Sequence, residues 1–218
     1  MKKVIIFDLD GTLLDTLQDL ADAVNYSLNH FSYPNRTLEQ VRKDIGNGVA
    51  MLMMRSIPGG FDNKNYDEAL SIFKDYYRNH YDVHTKSYEK MPEIVKQIKD
   101  KGYIVTVATN KIIDVAKNLL SHHYQGLFDY IQGDDIGVKK KPNPNMIDNI
   151  MNHYGVKKEE ILYIGDTNVD EETALNAGVD YLLVTYGYRT EEEIKKSCIA
   201  KILIRNKEEI IDYLLNWS

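Results

Sequence analysis

The sequence predicts an α/β fold, a Rossmann-like, doubly wound parallel sheet with an inserted all-helical cap. Three observations predict it. Compact apolar runs of strand length recur along the chain. Amphipathic segments of helix length lie between most of them. One long stretch near the start carries helical stripes and no strand-like run. Short, wholly apolar strands alternating with helices indicate a parallel sheet covered on both faces. The length of 218 residues suits one large domain, or a medium domain carrying a smaller one.

In chain order, Val4–Leu9 is the first strand and runs into "DLDGT". Leu17, Leu20, Ala21, Val24, Leu28 and Phe31 then fit one face of a helix. Leu38, Val41 and Ile45 suggest a second helix, and Val49–Ile57 a third, opened by the turn Ile45–Gly46–Asn47–Gly48. Ala69, Leu70, Ile72, Phe73, Tyr76 and Tyr77 suggest a fourth. This module of roughly 65 residues is far longer than the usual connection of about 4–6. It marks residues 17–81 as a cap inserted into a core made of residues 1–16 and 82–218. Met91–Asp100 comes next as a helix with Pro92 at its start and Gly102 as its stop. Strands are expected at Tyr103–Ala108, Tyr130–Ile131, Leu162–Ile164, Tyr181–Val184 and Ile202–Ile204. Asn143–Tyr154 has helical spacing and ends at Gly155, and Glu191–Lys196 reads as a solvated helix face.

Composition excludes several classes. Hydrophobic residues make up 43% and charged residues 28%, an ordinary globular balance with apolar mass for a core. The net charge of −6 argues against a general nucleic-acid or anionic-membrane surface. The single cysteine, Cys198, permits no internal disulfide and reads as a free thiol. "MKKVIIFD" has too few apolar residues for a secretory segment, which needs roughly seven or more. No apolar run approaches the roughly 20 residues of a membrane span. A cytoplasmic location is the expectation.

In an open parallel sheet, ligands bind at the carboxyl ends of the strands. Four such ends here carry polar chemistry. Asp8, Asp10, Gly11 and Thr12 come after the first strand, and Thr109, Asn110 and Lys111 after the second. The stretch "QGDDIGVKKKPNP", with Lys139, Lys140 and Lys141, comes after the third. Gly165, Asp166, Thr167, Asn168, Val169 and Asp170 come after the fourth. Three aspartates brought together would repel one another unless a divalent cation neutralised them, and Mg²⁺ takes such carboxylates together with phosphate oxygens. A lysine and a hydroxyl nearby suit a phosphoryl group. A carboxylate beside the metal can act as nucleophile, and a second one two residues on can serve as general acid and base.

"DLDGTLLDT" at 8–16, "VATNK" at 107–111, "KPNPN" at 141–145 and "IGDTNVD" at 164–170 resemble the four motifs of the haloacid dehalogenase-like phosphohydrolases, in that family's order and over the whole chain. The segment "DIGNGVAMLMMRSI" at 44–57 resembles the helical cap of the phosphoglycolate phosphatase group within it. The resemblance implies a Mg²⁺-dependent phosphatase acting on a small phosphorylated metabolite, most simply 2-phosphoglycolate, through an aspartyl-phosphate. Asp8 would be the nucleophile and a metal ligand. Asp10 would be the general acid and base, lending its backbone carbonyl to the metal. Thr109 and Asn110 would bind the phosphoryl oxygens, Lys141 would neutralise nucleophile and phosphoryl group, and Asp166 would be the remaining carboxylate ligand. Asp170 would orient metal-bound water or Lys141. Of the three lysines, Lys141 is chosen because it precedes proline. In the cap, Gly46, Asn47 and Gly48 would recognise a second anionic group through backbone N–H groups. Arg42 or Arg55 could assist there, or be solvated surface arginines.

Other readings weigh less. A dehalogenase lacks the second aspartate. A sugar phosphatase, a phosphomutase or an inorganic pyrophosphatase keeps the same scaffold. A phospho-accepting receiver domain is shorter and splits its acid pair from its acceptor. Asp15 starts the next helix, with Thr16 and Asp19 as a capping-box-like pair. His80 and His84 are spaced for a metal only if helical, and read better as a surface or hinge pair. His122 and His123 follow a helix end.

Overall fold

The computed structural model describes residues 3–200 and 202–217. Met1 and Lys2, the first two residues of the N-terminal stretch "MKKVIIFD", lie outside the described residues. The elements run β1 (Val4–Phe7), β2 (Leu14–Asp15), α1 (Leu17–His30), α2 (Leu38–Asp44), α3 (Val49–Ser56), α4 (Tyr66–His80) and β3 (Lys86–Ser87). They continue with α5 (Met91–Asp100), β4 (Ile104–Ile112), α6 (Ile113–Tyr124), β5 (Tyr130–Asp134) and α7 (Asn145–Tyr154). The last are β6 (Ile161–Gly165), α8 (Asn168–Ala177), β7 (Asp180–Val184), α9 (Glu191–Ser197), β8 (Leu203–Ile204) and α10 (Glu209–Asn216). The chain divides into two compact units, one of Met1–Leu14 with Ser87–Ser218 and one of Asp15–Lys86.

The first unit is a six-stranded sheet of order β5-β4-β1-β6-β7-β8, in which neighbouring strands pair parallel. Each of the six expected strands is present, with ends shifted by up to four residues. β1 has the central place because all four of its residues, Val-Ile-Ile-Phe, are buried. Its side chains alternate between the faces. Val4 and Ile6 join Met146, Ile147 and Ile150 of α7, and Ala174 and Ala177 of α8, in one apolar cluster. Phe7 instead meets Phe128 edge-on at 6.5 Å. Val4 stands opposite both Ile104 and Ile161, and Phe7 opposite both Val107 and Ile164. The carboxyl ends of β1 and β6 therefore lie within a residue of one another, and β4 runs on beside them to Ile112, so that Thr109, Asn110 and Lys111 and the residues just past β1 and β6 share one edge.

The second unit is helical. Val24, Leu28, Val41, Leu52, Met53, Phe73 and Tyr77 are buried in it. The Ser27 hydroxyl of α1 donates to the Ala69 carbonyl of α4 at 2.6 Å. Glycine is required at Gly48, where φ is +81°, to turn the chain into α3.

Several local expectations are corrected. Thr16 makes no side-chain cap hydrogen bond at α1. Its supposed partner Asp19 is buried and accepts instead from Val83, His84 and Thr85, because tertiary donors outcompete the local pairing. α7 starts at Asn145 rather than Asn143, since the residue before Pro144 is steered away from helical geometry. The reading of His80 and His84 as surface residues, by contrast, stands: α4 ends at His80, so His84 does not share its face, and both are exposed; His80 stacks on Tyr76 at 4.0 Å. His122 and His123 lie within the last turn of α6 rather than after it. Among the described residues no helix is long and apolar enough to cross a membrane.

Candidate active site

The carboxyl edge of the first unit's sheet brings the four motifs together. The backbone N–H of Asp8 donates to the Ile164 carbonyl at 2.9 Å, which ties the end of β1 to the end of β6. Past it, Gly11 turns the chain with φ +87°, and a Cβ there would lie 2.3 Å from an oxygen of Asp166. A side chain at Gly11 would therefore displace that carboxylate.

Lys141 is the hub. Its Nζ is 2.8 Å from Asp8 Oδ1, 2.7 Å from Asp170 Oδ1 and 3.0 Å from the Tyr163 hydroxyl. Lys141 is buried, whereas Lys140 is half-buried and pairs with Asp134 at 2.7 Å. Of the three consecutive lysines, it is thus Lys141 that the structure brings to Asp8. The backbone of Lys141 is clamped by Asn110, whose side chain accepts from its N–H at 2.8 Å and donates to its carbonyl at 3.0 Å. Thr109 is buried in β4 beside it. Asp170 is held by Lys141, by Tyr163 and by Thr167, whose N–H and hydroxyl donate to Oδ2 at 3.0 and 2.7 Å. Asp166 accepts from the Tyr188 N–H at 2.8 Å and from the Thr12 hydroxyl at 3.3 Å.

The electrostatics are uneven. Burial raises the Asp8 carboxyl to about 7, against the pull of Lys141 and with the push of Asp170. Burial, Asp170 and Asp8 push Asp166 well above the usual carboxylate range, against the Tyr188 N–H and Arg189. Burial would also raise Asp170, but Lys141 outweighs it and holds Asp170 low. Burial alone would lower Lys141, yet Asp170 and Asp8 raise it well above normal. Among the described residues Asp8 Oδ1 has the ion pair with Lys141 and no well-aligned hydrogen-bond donor. Asp8, Asp166 and Asp170 each offer an oxygen, all within 4.8 Å of one another, and could hold a metal. Asp170 is committed to its donors. The donor set left to a divalent cation is Asp8 and Asp166, with excess negative charge that such an ion would relieve.

Sequence reasoning missed several contributors. Lys111, placed by the sequence at the strand end as the last residue of "VATNK" but given no role there, reaches Asp10 Oδ1 with Nζ at 2.8 Å. Gly187 and Tyr188 come from the loop after β7, and a Cβ on Gly187 would meet the Gly11 carbonyl at 2.2 Å. The signal for that loop was available: "TYGYR" comes after the fifth apolar run at the same sheet edge. The expected cap residues Gly46, Asn47 and Gly48 lie in the other unit and precede α3. Arg55 there donates to the Asp44 carbonyl at 2.6 Å and to Asn47 Oδ1 at 2.8 Å, so it braces the turn rather than being simply solvated. Arg42 pairs with Glu39 at 2.7 Å.

Comparison with known proteins accords with this geometry. The family model for haloacid dehalogenase-like hydrolases matches residues 5–184. The phosphoglycolate phosphatase of Aquifex aeolicus is 33% identical over 187 residues, covering 85% of this chain and 86% of its own. That of Aliivibrio fischeri is 32% identical, covering 89% of each. A crystal structure of a candidate phosphoglycolate phosphatase from Lactobacillus delbrueckii superposes with a TM-score of 0.92 at 27% identity, over 98% of this chain and 99% of that one.

Proposed function

Because this chain belongs to the haloacid dehalogenase-like hydrolases, we propose that it is a Mg²⁺-dependent phosphatase that hydrolyses 2-phosphoglycolate through an aspartyl-phosphate on Asp8. Its relatives at 32–34% identity bear the name phosphoglycolate phosphatase, and it is a phosphoric monoester hydrolase like them. The observation that carries the mechanistic reading is the buried Lys141 between Asp8 and Asp170. Lys141 compensates one carboxylate and leaves Asp8 and Asp166 in need of a further positive charge.

Asp8, Asp166 and the backbone carbonyl of Asp10 would hold the cation. When bound, it supplies charge neutralisation for the nucleophile and for the phosphoryl oxygens. The remaining work falls to the chain. The Asp8 carboxylate attacks phosphorus, and the bond from phosphorus to the ester oxygen breaks. The Asp10 carboxyl gives its proton to that oxygen. Asp10, now a carboxylate, takes a proton from water as the hydroxyl attacks the phosphorus of the aspartyl-phosphate. Inorganic phosphate leaves, and Asp8 returns as a carboxylate. Thr109 and Asn110 bind phosphoryl oxygens, and Lys141 holds Asp8 in place.

The substrate's second anion is assigned to the Gly46–Asn47–Gly48 turn, whose backbone can approach a carboxylate closely. Assay of a panel of phosphorylated metabolites with Mg²⁺ tests this. Phosphoglycolate should exceed neutral hexose phosphates in kcat/KM by roughly tenfold or more, the value of one charge-assisted contact. Gly48→Val should erode the preference by forcing a side chain into a left-handed backbone. Equal efficiency on hexose phosphates or on pyrophosphate would keep the phosphatase and discard the phosphoglycolate assignment.

A further inference from the structure

β4 is irregular at the point where it enters the site. Ala108 pairs with Gln132 and Ile112 with Asp134, so more chain on β4 spans a shorter length of β5. Such bulges re-aim side chains. This one depends on Gly133 opposite it. A Cβ on Gly133 would stand 2.9 Å from the Lys111 carbonyl and 3.0 Å from the Ile113 Cα. The bulge carries Lys111, whose side chain is 2% exposed and whose Nζ lies 2.8 Å from Asp10 Oδ1. Burying an ammonium is costly unless it is well paired, so this contact is a fixed one. It is distinct from the Lys141 hub, which serves Asp8 and Asp170.

We propose that Lys111 is a positioning residue for proton transfer: it grips Oδ1 of Asp10 and so orients Oδ2 toward the leaving-group oxygen. The proposal rests on the reading of Asp10 as general acid and base. In the step concerned, an Asp8 oxygen bonds to phosphorus while the bond from phosphorus to the ester oxygen breaks. The proton on Asp10 Oδ2 passes to the ester oxygen, which departs as the alcohol. Lys111 neither gains nor loses a proton. Its effect is felt only where the leaving oxygen needs that proton.

Leaving-group dependence therefore reads it out. Lys111→Met, Lys111→Arg and Asp10→Asn are compared with the unaltered enzyme, with Mg²⁺, on 2-phosphoglycolate and on 2,4-dinitrophenyl phosphate. Dinitrophenolate departs without a proton, whereas the alkyl alcohol does not. Lys111→Met should lower kcat on the alkyl ester by about 10²-fold, within the usual worth of a general acid. On the dinitrophenyl ester the loss should stay below about threefold, and Lys111→Arg should recover most of the alkyl activity. Added to Asp10→Asn, Lys111→Met should cost nothing more, because both act through one group. Should Lys111→Met fail to fold, Lys111→Gln carries the same comparison. Equal losses on both esters, a KM rise confined to the carboxylate-bearing substrate, or additive losses in the double variant would each overturn the inference. If Asp10→Asn shows the leaving-group selectivity and Lys111→Met does not, only Lys111's role falls. If the unaltered enzyme turns over neither ester, the phosphatase reading falls and takes this inference with it.

Discussion

Two buried aspartates, one in each unit, have opposite fates. Asp19 is 2% exposed and Asp8 7%. Asp19 accepts hydrogen bonds from the N–H groups of Val83, His84 and Thr85 at 3.2, 2.9 and 2.9 Å, and from the Thr85 hydroxyl at 2.7 Å. Its charge is spread over donors that are part of the fold. Among the described residues Asp8 Oδ1 has the Lys141 ammonium at 2.8 Å and no well-aligned hydrogen-bond donor, and it lies among other carboxylates that share that ammonium. Burial costs both, and only Asp19 has the cost offset within its own unit's backbone. A carboxylate saturated with donors fastens a chain. One left short of them is available to a cation and an electrophile.

The largest effect expected from this contrast is on turnover. Asp8→Asn should lower kcat on the order of 10⁴-fold or more, as removal of a nucleophile does, while its melting temperature holds or rises. Near-normal turnover in that variant would break the covalent reading. Next comes the metal. Chelator should abolish hydrolysis, and Mg²⁺ should restore it. Because Asp8 is raised to about 7 and Asp166 well above the carboxylate range, protons compete with the ion. Mg²⁺ affinity should therefore rise as pH climbs through about 7, with proton release seen by calorimetry in buffers of different ionisation heat. The same groups set the sign for folding. Between the unfolded value of 3.8 and about 7 the folded state binds more protons at Asp8, so the metal-free protein should lose stability as pH rises across that window. A flat profile would count against the carboxylates being strained. The smallest effect is on Asp19. Asp19→Ala should cost about 3 kcal/mol by stranding the donors that converge on it, the buried Thr85 N–H and hydroxyl above all, with kcat on an aryl phosphate little changed. An unaltered denaturation midpoint would erase the contrast.

Much of this was legible from local sequence. The strand ends announce themselves because an apolar run must stop where charged side chains begin, and parallel strands in register put those stops at one edge. The residues of the four motifs do converge there. The contacts that were not legible come from partners distant along the chain. Thr16 and Asp19 satisfy a local capping pattern, yet the donors that reach Asp19 come from residues 83–85. Lys111 was visible as a strand-end lysine, but its aim toward Asp10 depends on a bulge set against Gly133. Tyr188 holds Asp166 by its backbone N–H, a contact to which its side chain gives no clue.

The central place of β1 has a consequence for how the molecule is made. Its four apolar residues are made before the rest of the sheet, and the neighbours that cover their edges, β4 and β6, begin at Ile104 and Ile161. At about 5–20 residues per second, the nearer partner arrives roughly 5–20 s later. Through that interval the strand has no sheet to join, while residues 15–86 can already gather into their own helical unit. The order of synthesis thus gives the helices a head start and makes the sheet, with the reactive edge it carries, the last part of the protein to come into being.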